Sequence, residues 1–155
     1  MSHFSESDSI FFSDGYRLAE ALCGEDISPE SLFRLMESLY EQVDMLIGSF
    51  IHRCRREGKP VDCRKGCSWC CHQPVMASTY EMIFLGDYLR KHMDEPAREK
   101  ILRRAEARKK AIMDMDLKGM FRYKSPCPLL EKNACRIYAG RPMACRIYLS
   151  SDVGS

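Results

Sequence analysis

Residues 63–72 read Cys-Arg-Lys-Gly-Cys-Ser-Trp-Cys-Cys-His, four thiols and an imidazole within ten positions. Apolar packing has no use for such density, because one or two cysteines would fill the same space. Thiolates are soft metal ligands, and closely spaced ones on a tight loop converge on a single ion or cluster. Gly66 gives that loop a residue free to take positive φ, and Pro74 closes the segment. Arg64 and Lys65 bring positive charge alongside the thiols. Buried free thiols or local disulfides are the competing explanation, and the crowding argues against them. This stretch predicts a metal site, and the rest of the chain has to fold around it.

The chain has 155 residues, one domain's worth, with enough length for a real core. At 45% hydrophobic and 30% charged its composition is that of a globular domain. No run of about 18 apolar residues is present, so no membrane span is expected. The opening Met-Ser-His-Phe-Ser-Glu-Ser-Asp has neither the basic start nor the apolar middle of a secretory signal. A reducing cytoplasm is therefore the expected location, where clustered cysteines bind metal more often than they form disulfides. The odd count of nine cysteines agrees.

Net charge is only +2, but residues 1–50 carry two basic side chains against ten acidic ones, leaving +10 on the remainder. An acidic first third folding back on a basic remainder explains this without a polyanion. No aromatic-interleaved basic stripe accompanies the charge, so nucleic acid is not the expected partner.

About nine polar residues at the start are expected to be loosely held. Residues 10–23 predict a short helix ended by Gly24, with Cys23 as a small core residue. Ser28-Pro29-Glu30 is a helix start: a capping hydroxyl, proline at the first helical position, then an acid. Leu32, Leu35, Met36, Leu39, Val43, Leu46, Ile47, Phe50 and Ile51 follow at helical period, predicting one helix to about Glu57. Arg53, Arg55 and Arg56 suit its negative end, and Gly58-Lys59-Pro60 stops it. His52 and Cys54 near that end are expected in surface or packing roles. After the cysteine loop, Ser78-Thr79-Tyr80-Glu81 matches a capping box. Ile83, Phe84, Tyr88 and Leu89 mark the apolar face of a helix to about His92. Asp94-Glu95-Pro96 begins another, with Ile101, Leu102, Ala105, Ile112 and Met115 as its buried stripe. Arg103, Arg104, Arg108 and Lys110 on its other side read as a solvated face.

A second cysteine group opens with Ser125-Pro126-Cys127-Pro128, where the two prolines hold the backbone extended. Glu131-Lys132-Asn133-Ala134 predicts a turn and Cys135-Arg136-Ile137-Tyr138 a return strand. Together they form a short hairpin with a cysteine near each end. Arg141-Pro142-Met143-Ala144-Cys145-Arg146 follows. Cys-Arg-Ile-Tyr occurs at 135–138 and again at 145–148, an offset too short for a repeat fold.

These residues together carry a resemblance. Cys63-x3-Cys67-x2-Cys70-Cys71, then Cys127-Pro128-Leu129, Cys135-x-Ile137-Tyr138 and Arg141-Pro142-x2-Cys145-Arg146 resembles the CxxxCxxCC cysteine-cluster family of YkgJ-type proteins, a zinc- or iron-chelating domain. A related cluster occurs in flagellin lysine N-methylases. The resemblance implies a ligand pool of Cys63, Cys67, Cys70, Cys71, Cys127, Cys135 and Cys145. Two departures stand out: the turn before Cys135 lacks a glycine, and only ten residues follow Cys145.

Zinc needs four ligands in a tetrahedron, and Cys67-x2-Cys70 is a normal knuckle for it. A 4Fe-4S cluster also takes four thiolates, and the adjacent Cys70-Cys71 pair suits its width better than one small ion. Cys63-x3-Cys67-x2-Cys70 is also the spacing of radical S-adenosylmethionine enzymes, but the repeated strand–helix units those enzymes need are missing. No phosphate loop, nucleophile triad or S-adenosylmethionine glycine motif appears. The function expected is a metal-binding module holding zinc or iron, the iron as an ion or as an iron–sulfur cluster; the alternative is an enzyme or accessory related to protein lysine methylation.

Arg141 and Arg146 flank Cys145 and are expected to serve the bound group. Arg146 would neutralise thiolate charge, and Arg141 would hold the turn through backbone carbonyls. The expected architecture is a single mainly α domain over residues 1–155. Helices fill 10–57, and the cysteine region spans 63–146 with a helical insert at about 78–116. Both cysteine groups are expected to share one centre.

Overall fold

The computed structural model describes residues 6–23, 28–59, 61–63 and 66–151. Its architecture is mainly α. Helix α1 spans Glu6–Cys23, α2 Pro29–Arg56, α3 Thr79–His92, α4 Glu95–Ile112, α5 Leu117–Arg122 and α6 Met143–Ile147. Strands β1 (Leu130–Glu131) and β2 (Ala134–Cys135) pair antiparallel, Leu130 opposite Cys135. Helical 3₁₀ turns cover Trp69–His72 and Tyr138–Gly140. The chain divides into two compact units, residues 1–41 and residues 42–155, with the division inside α2.

In the first unit, α1 begins at Glu6, four residues earlier than the apolar pattern suggests, so polar residues 6–9 are helical. Residues 1–5, Gly24 and the side chain of Cys23 lie outside the described residues. Ser28 and Ser31 cap the start of α2 reciprocally: the Ser31 amide donates to Ser28 Oγ (3.2 Å) and the Ser28 amide to Ser31 Oγ (3.0 Å). Met36 and Tyr40 are buried.

The second unit begins within α2, whose end at Arg56 falls where the sequence puts it, with Gly58 at φ +70° just beyond. Leu46 on the expected stripe is 70% exposed. The capping box of α3 is complete: Glu81 N–H donates to Ser78 Oγ and Ser78 N–H to Glu81 Oε2. Asp94 caps α4 through the Ala97 amide (3.1 Å).

Helix α4 stops at Ile112 rather than continuing through Met115, because Asp116 caps a separate short helix through the Gly119 amide. Leu102 is 60% exposed and Ile83 is exposed too, whereas Leu85, absent from the expected face, is buried. The core joins α3, α4 and the hairpin lobe: Leu85, Met93, Ile101 and Ile137, with Tyr88, Leu89, Ala97, Leu129 and Cys135 against them. This arrangement sets the hairpin and its cysteine on the α3–α4 pair.

The hairpin turn is made by Lys132 and Asn133 at φ +49° and +59°. Two successive left-handed residues give the twist a two-residue hairpin needs, and asparagine tolerates that region better than lysine. The return strand ends at Cys135, and Tyr138 opens the 3₁₀ turn instead of extending β2.

Candidate metal centre

The first cysteine group is a loop ending in the 3₁₀ turn Trp69–His72, entered through Gly66 at φ +93°. Inside it, Cys71 N–H donates to the Ser68 carbonyl (3.0 Å), and His72 Nδ1 lies 3.0 Å from the same oxygen. That contact ties His72 to its own turn.

Its far end is laced to the C-terminal segment. Asp62 N–H donates to the Ser150 carbonyl (2.9 Å), and Ser150 N–H donates to Cys63 Sγ (3.1 Å). Between the two groups, Cys127 N–H donates to the Cys71 carbonyl at 2.6 Å, across 55 intervening residues. Cys127 then accepts at its own carbonyl from Leu130 N–H, which starts the hairpin that carries Cys135. Cys145 sits in α6, whose first amide, Met143 N–H, donates to Glu81 Oε1 (2.6 Å). One carboxylate thus holds the starts of both α3 and α6.

The thiols act on one another. Cys63 is pushed up chiefly by burial, with smaller contributions from Cys67 and Cys70. Burial pushes Cys135 up as well, and Cys127 and Cys70 add to it. Cys145 is pushed up to about 12, mainly by burial and then by Cys70, Cys127 and Cys135. In the adjacent pair, the hydrogen bond from Cys71 favours the Cys70 thiolate and lowers it, while the same bond raises Cys71. Every one of the seven motif cysteines takes part in this set. All seven are half-buried, neither lost in the core nor on the open surface. Cys54, on α2, is half-buried too, and His52 is exposed.

The two arginines divide their roles the other way round from the sequence expectation. Arg146, only 2% exposed, donates from Nε to the Arg141 carbonyl (3.0 Å), from Nη2 to the Ala139 carbonyl, and from Nη1 to Asp44 Oδ2 (2.5 Å). It is the residue that holds the turn. Arg141 pairs with the other Asp44 oxygen (3.3 Å), and its guanidinium lies 3.7 Å from the Tyr138 ring centre. Its charge lowers Cys70, Cys135 and Cys145, although less than burial raises the latter two. Its Nε is buried without a hydrogen-bond partner. Nothing local in the sequence marks Asp44, on α2, which lies 102 positions from Arg146.

Among the described residues, no three Cys, His, Asp or Glu side chains are arranged as a ready-made metal site. The donor set still has the chemistry for one: soft sulfur ligands gathered from two distant segments, with a guanidinium beside them to offset thiolate charge. The fit lies in the donors and their convergence, not in preset coordination.

A mainly α fold with a multi-thiol lobe of this kind defines a cysteine-rich domain. The comparisons with known proteins agree: the family model CxxCxxCC, described as "Putative zinc- or iron-chelating domain", matches residues 62–154. The chain belongs to that family. No curated protein and no solved structure matches it. Among the described residues no helix is long and apolar enough to cross a membrane.

Proposed function

We propose that the protein is a non-catalytic metal-binding module whose two cysteine groups serve one thiolate centre of the iron–sulfur type. The observation that carries this reading is the seam between Cys71 and Cys127, a 2.6 Å backbone hydrogen bond that sets the groups edge to edge. The ligands would come from Cys63, Cys67, Cys70, Cys71, Cys127, Cys135 and Cys145. The second group alone has three, one short of a closed four-thiolate site. In the first group, two adjacent side chains reach separate corners of a cluster more easily than one small ion. Loading has to be accompanied by reorientation of the thiol side chains.

When bound, the metal supplies a cross-link between the loop and the hairpin lobe. Arg141 supports the reading because its charge already acts on three of the thiols. Arg146 serves the bound group by fixing the turn on which Arg141 stands. A reducing cytoplasm suits such thiols. The test is elemental analysis of protein purified without oxygen, together with its visible spectrum. Iron, acid-labile sulfide and a broad visible band are expected. Zinc in a colourless protein would overturn the iron–sulfur assignment while keeping chelation, and protein without metal would overturn chelation itself.

A further inference from the structure

Beside Cys127, a cavity of about 330 Å³ opens between α4 and the segment leading into the hairpin. That is the lower end of the size range for small-molecule sites. Its polar walls are Arg104, Arg108, Tyr123 and Ser125, and Cys127 forms part of its floor. No Asp or Glu is among the described residues lining it. In the neighbouring groove Glu131 pairs with Lys100 and Arg136 at 2.8 Å each, and the Arg104 charge is a smaller influence on it than Lys100 or Arg136.

Arg104 and Arg108 stand one turn apart on α4, so their like charges face each other, an arrangement that weakens a helix unless something neutralises it. Each is also anchored. Arg104 Nη1 donates to the Leu130 carbonyl (3.3 Å) and Arg108 Nη2 to the Gln73 carbonyl (3.4 Å). One donor of each fork is used in that way, and a guanidinium has five. Two anchored forks with spare donors, a phenol and a hydroxyl in one cavity match the oxygens of a carboxylate or phosphate group. A solvated charged face, the ordinary explanation for arginines on a helix, needs neither the cavity nor the anchoring.

We propose that this cavity binds a small oxyanion compound, carrying a carboxylate or phosphate group, between Arg104 and Arg108. The inference does not rest on the metal centre, since neither arginine supplies a thiolate. Its position does place the ligand against the residue that links both cysteine groups.

The test titrates the full chain, as purified, with inorganic phosphate and with succinate, following heat and the amide signals of Tyr123 and Ser125. Both probes chelate metals weakly, and metal content is measured on the same samples. Saturable binding of at least one probe is expected, with shifts confined to the cavity. Arg108→Gln and Arg104→Gln should each weaken it about tenfold or more at unchanged metal content. Arg103→Gln, on the same helix but outside the cavity and paired with Glu99, should leave it unaltered. A preference for phosphate or for succinate assigns the head group. If neither probe binds at millimolar concentration, or the Arg103 variant loses as much as the cavity variants, the proposal falls. Arg104 is exposed and Arg108 half-buried, and a melt of each variant decides whether its titration counts; either cavity variant suffices.

Discussion

A Cβ at Gly140 would lie 2.8 Å from Tyr88 Cγ, closer than carbon atoms approach without something moving. The Tyr88 ring has little room to retreat, since His92 lies against it with ring centres 4.1 Å apart. Gly140→Ala should therefore destabilise the fold by about 1–3 kcal/mol, the usual penalty of overpacking, read as a lower melting temperature. An unchanged melt would mean that the ring yields freely. Arg146→Met should cost about 2 kcal/mol or more, because hydrogen bonds to a charged group are lost and two turn carbonyls are left without their donor. Denaturant unfolding of the variant measures it; a parent-like midpoint would contradict the structural role. Both arginines could be read as important from their place beside Cys145, but not which does what. That depends on the Tyr138–Gly140 turn, which aims carbonyls at Arg146, and on Asp44, which no local pattern connects to either.

Elements that announce themselves chemically were legible, and those held only by contacts were not. The capping box of α3, the Asp94 cap and the Pro29 start all depend on residues within a turn of each other, so the sequence displays them. Helices α5 and α6 have six and five residues, too few for a period to show. The stripes were overdrawn at Leu46 and Leu102, because periodicity marks an apolar face without telling what covers it.

Glu81 had a second task that the capping box conceals. Ser78→Ala should cost about 1 kcal/mol as a lost cap. Glu81→Ala should cost more, because the first amide of α6 loses its acceptor as well; comparing the two melts tests this, and equal losses would argue that the link to Met143 carries no weight.

Helix α3 also gives a pH prediction. The hydrogen bond from Lys91 holds Asp87 below the usual carboxylate range, with the charges of Lys91 and Arg90 assisting. A depressed carboxylate contributes stability above its unfolded value, roughly 3.9, and that contribution is lost as pH falls through the lower folded value. Asp87→Asn should therefore unfold with a flatter dependence on pH below about 4. Coincident acid limbs for parent and variant would show that the pair contributes nothing.

At the scale of the whole molecule, the two thiol groups are readable in the sequence and their meeting is left to the fold. Cys127 reaches Cys71 because α3 and α4 pack as a pair and return the chain to where it left the loop, a closure no spacing rule encodes. Cys67→Ser and Cys135→Ser each test whether one centre draws on both groups. Either change should deplete the bound metal and alter its spectrum as a whole, whereas full metal content in Cys135→Ser would leave the second group outside the centre. Stripping the metal should lower the melting temperature sharply, since structural metal sites in small domains contribute on the order of 10 kcal/mol. A melt indifferent to chelation would make the metal cargo rather than staple.

The seam between Cys71 and Cys127 also has a consequence in time. Translation proceeds at roughly 5–20 residues per second, so the second group follows the first by about 3–11 s. Through that interval the four leading thiols have left the ribosome's catalytic centre without the partners that will later press against them. The proposed centre, drawing on both groups, would assemble only after the hairpin and α6 have been made. For such a centre the early thiols would have to stay reduced and free of the wrong ion for those seconds, a vulnerability set by the order of the chain rather than by its folded shape.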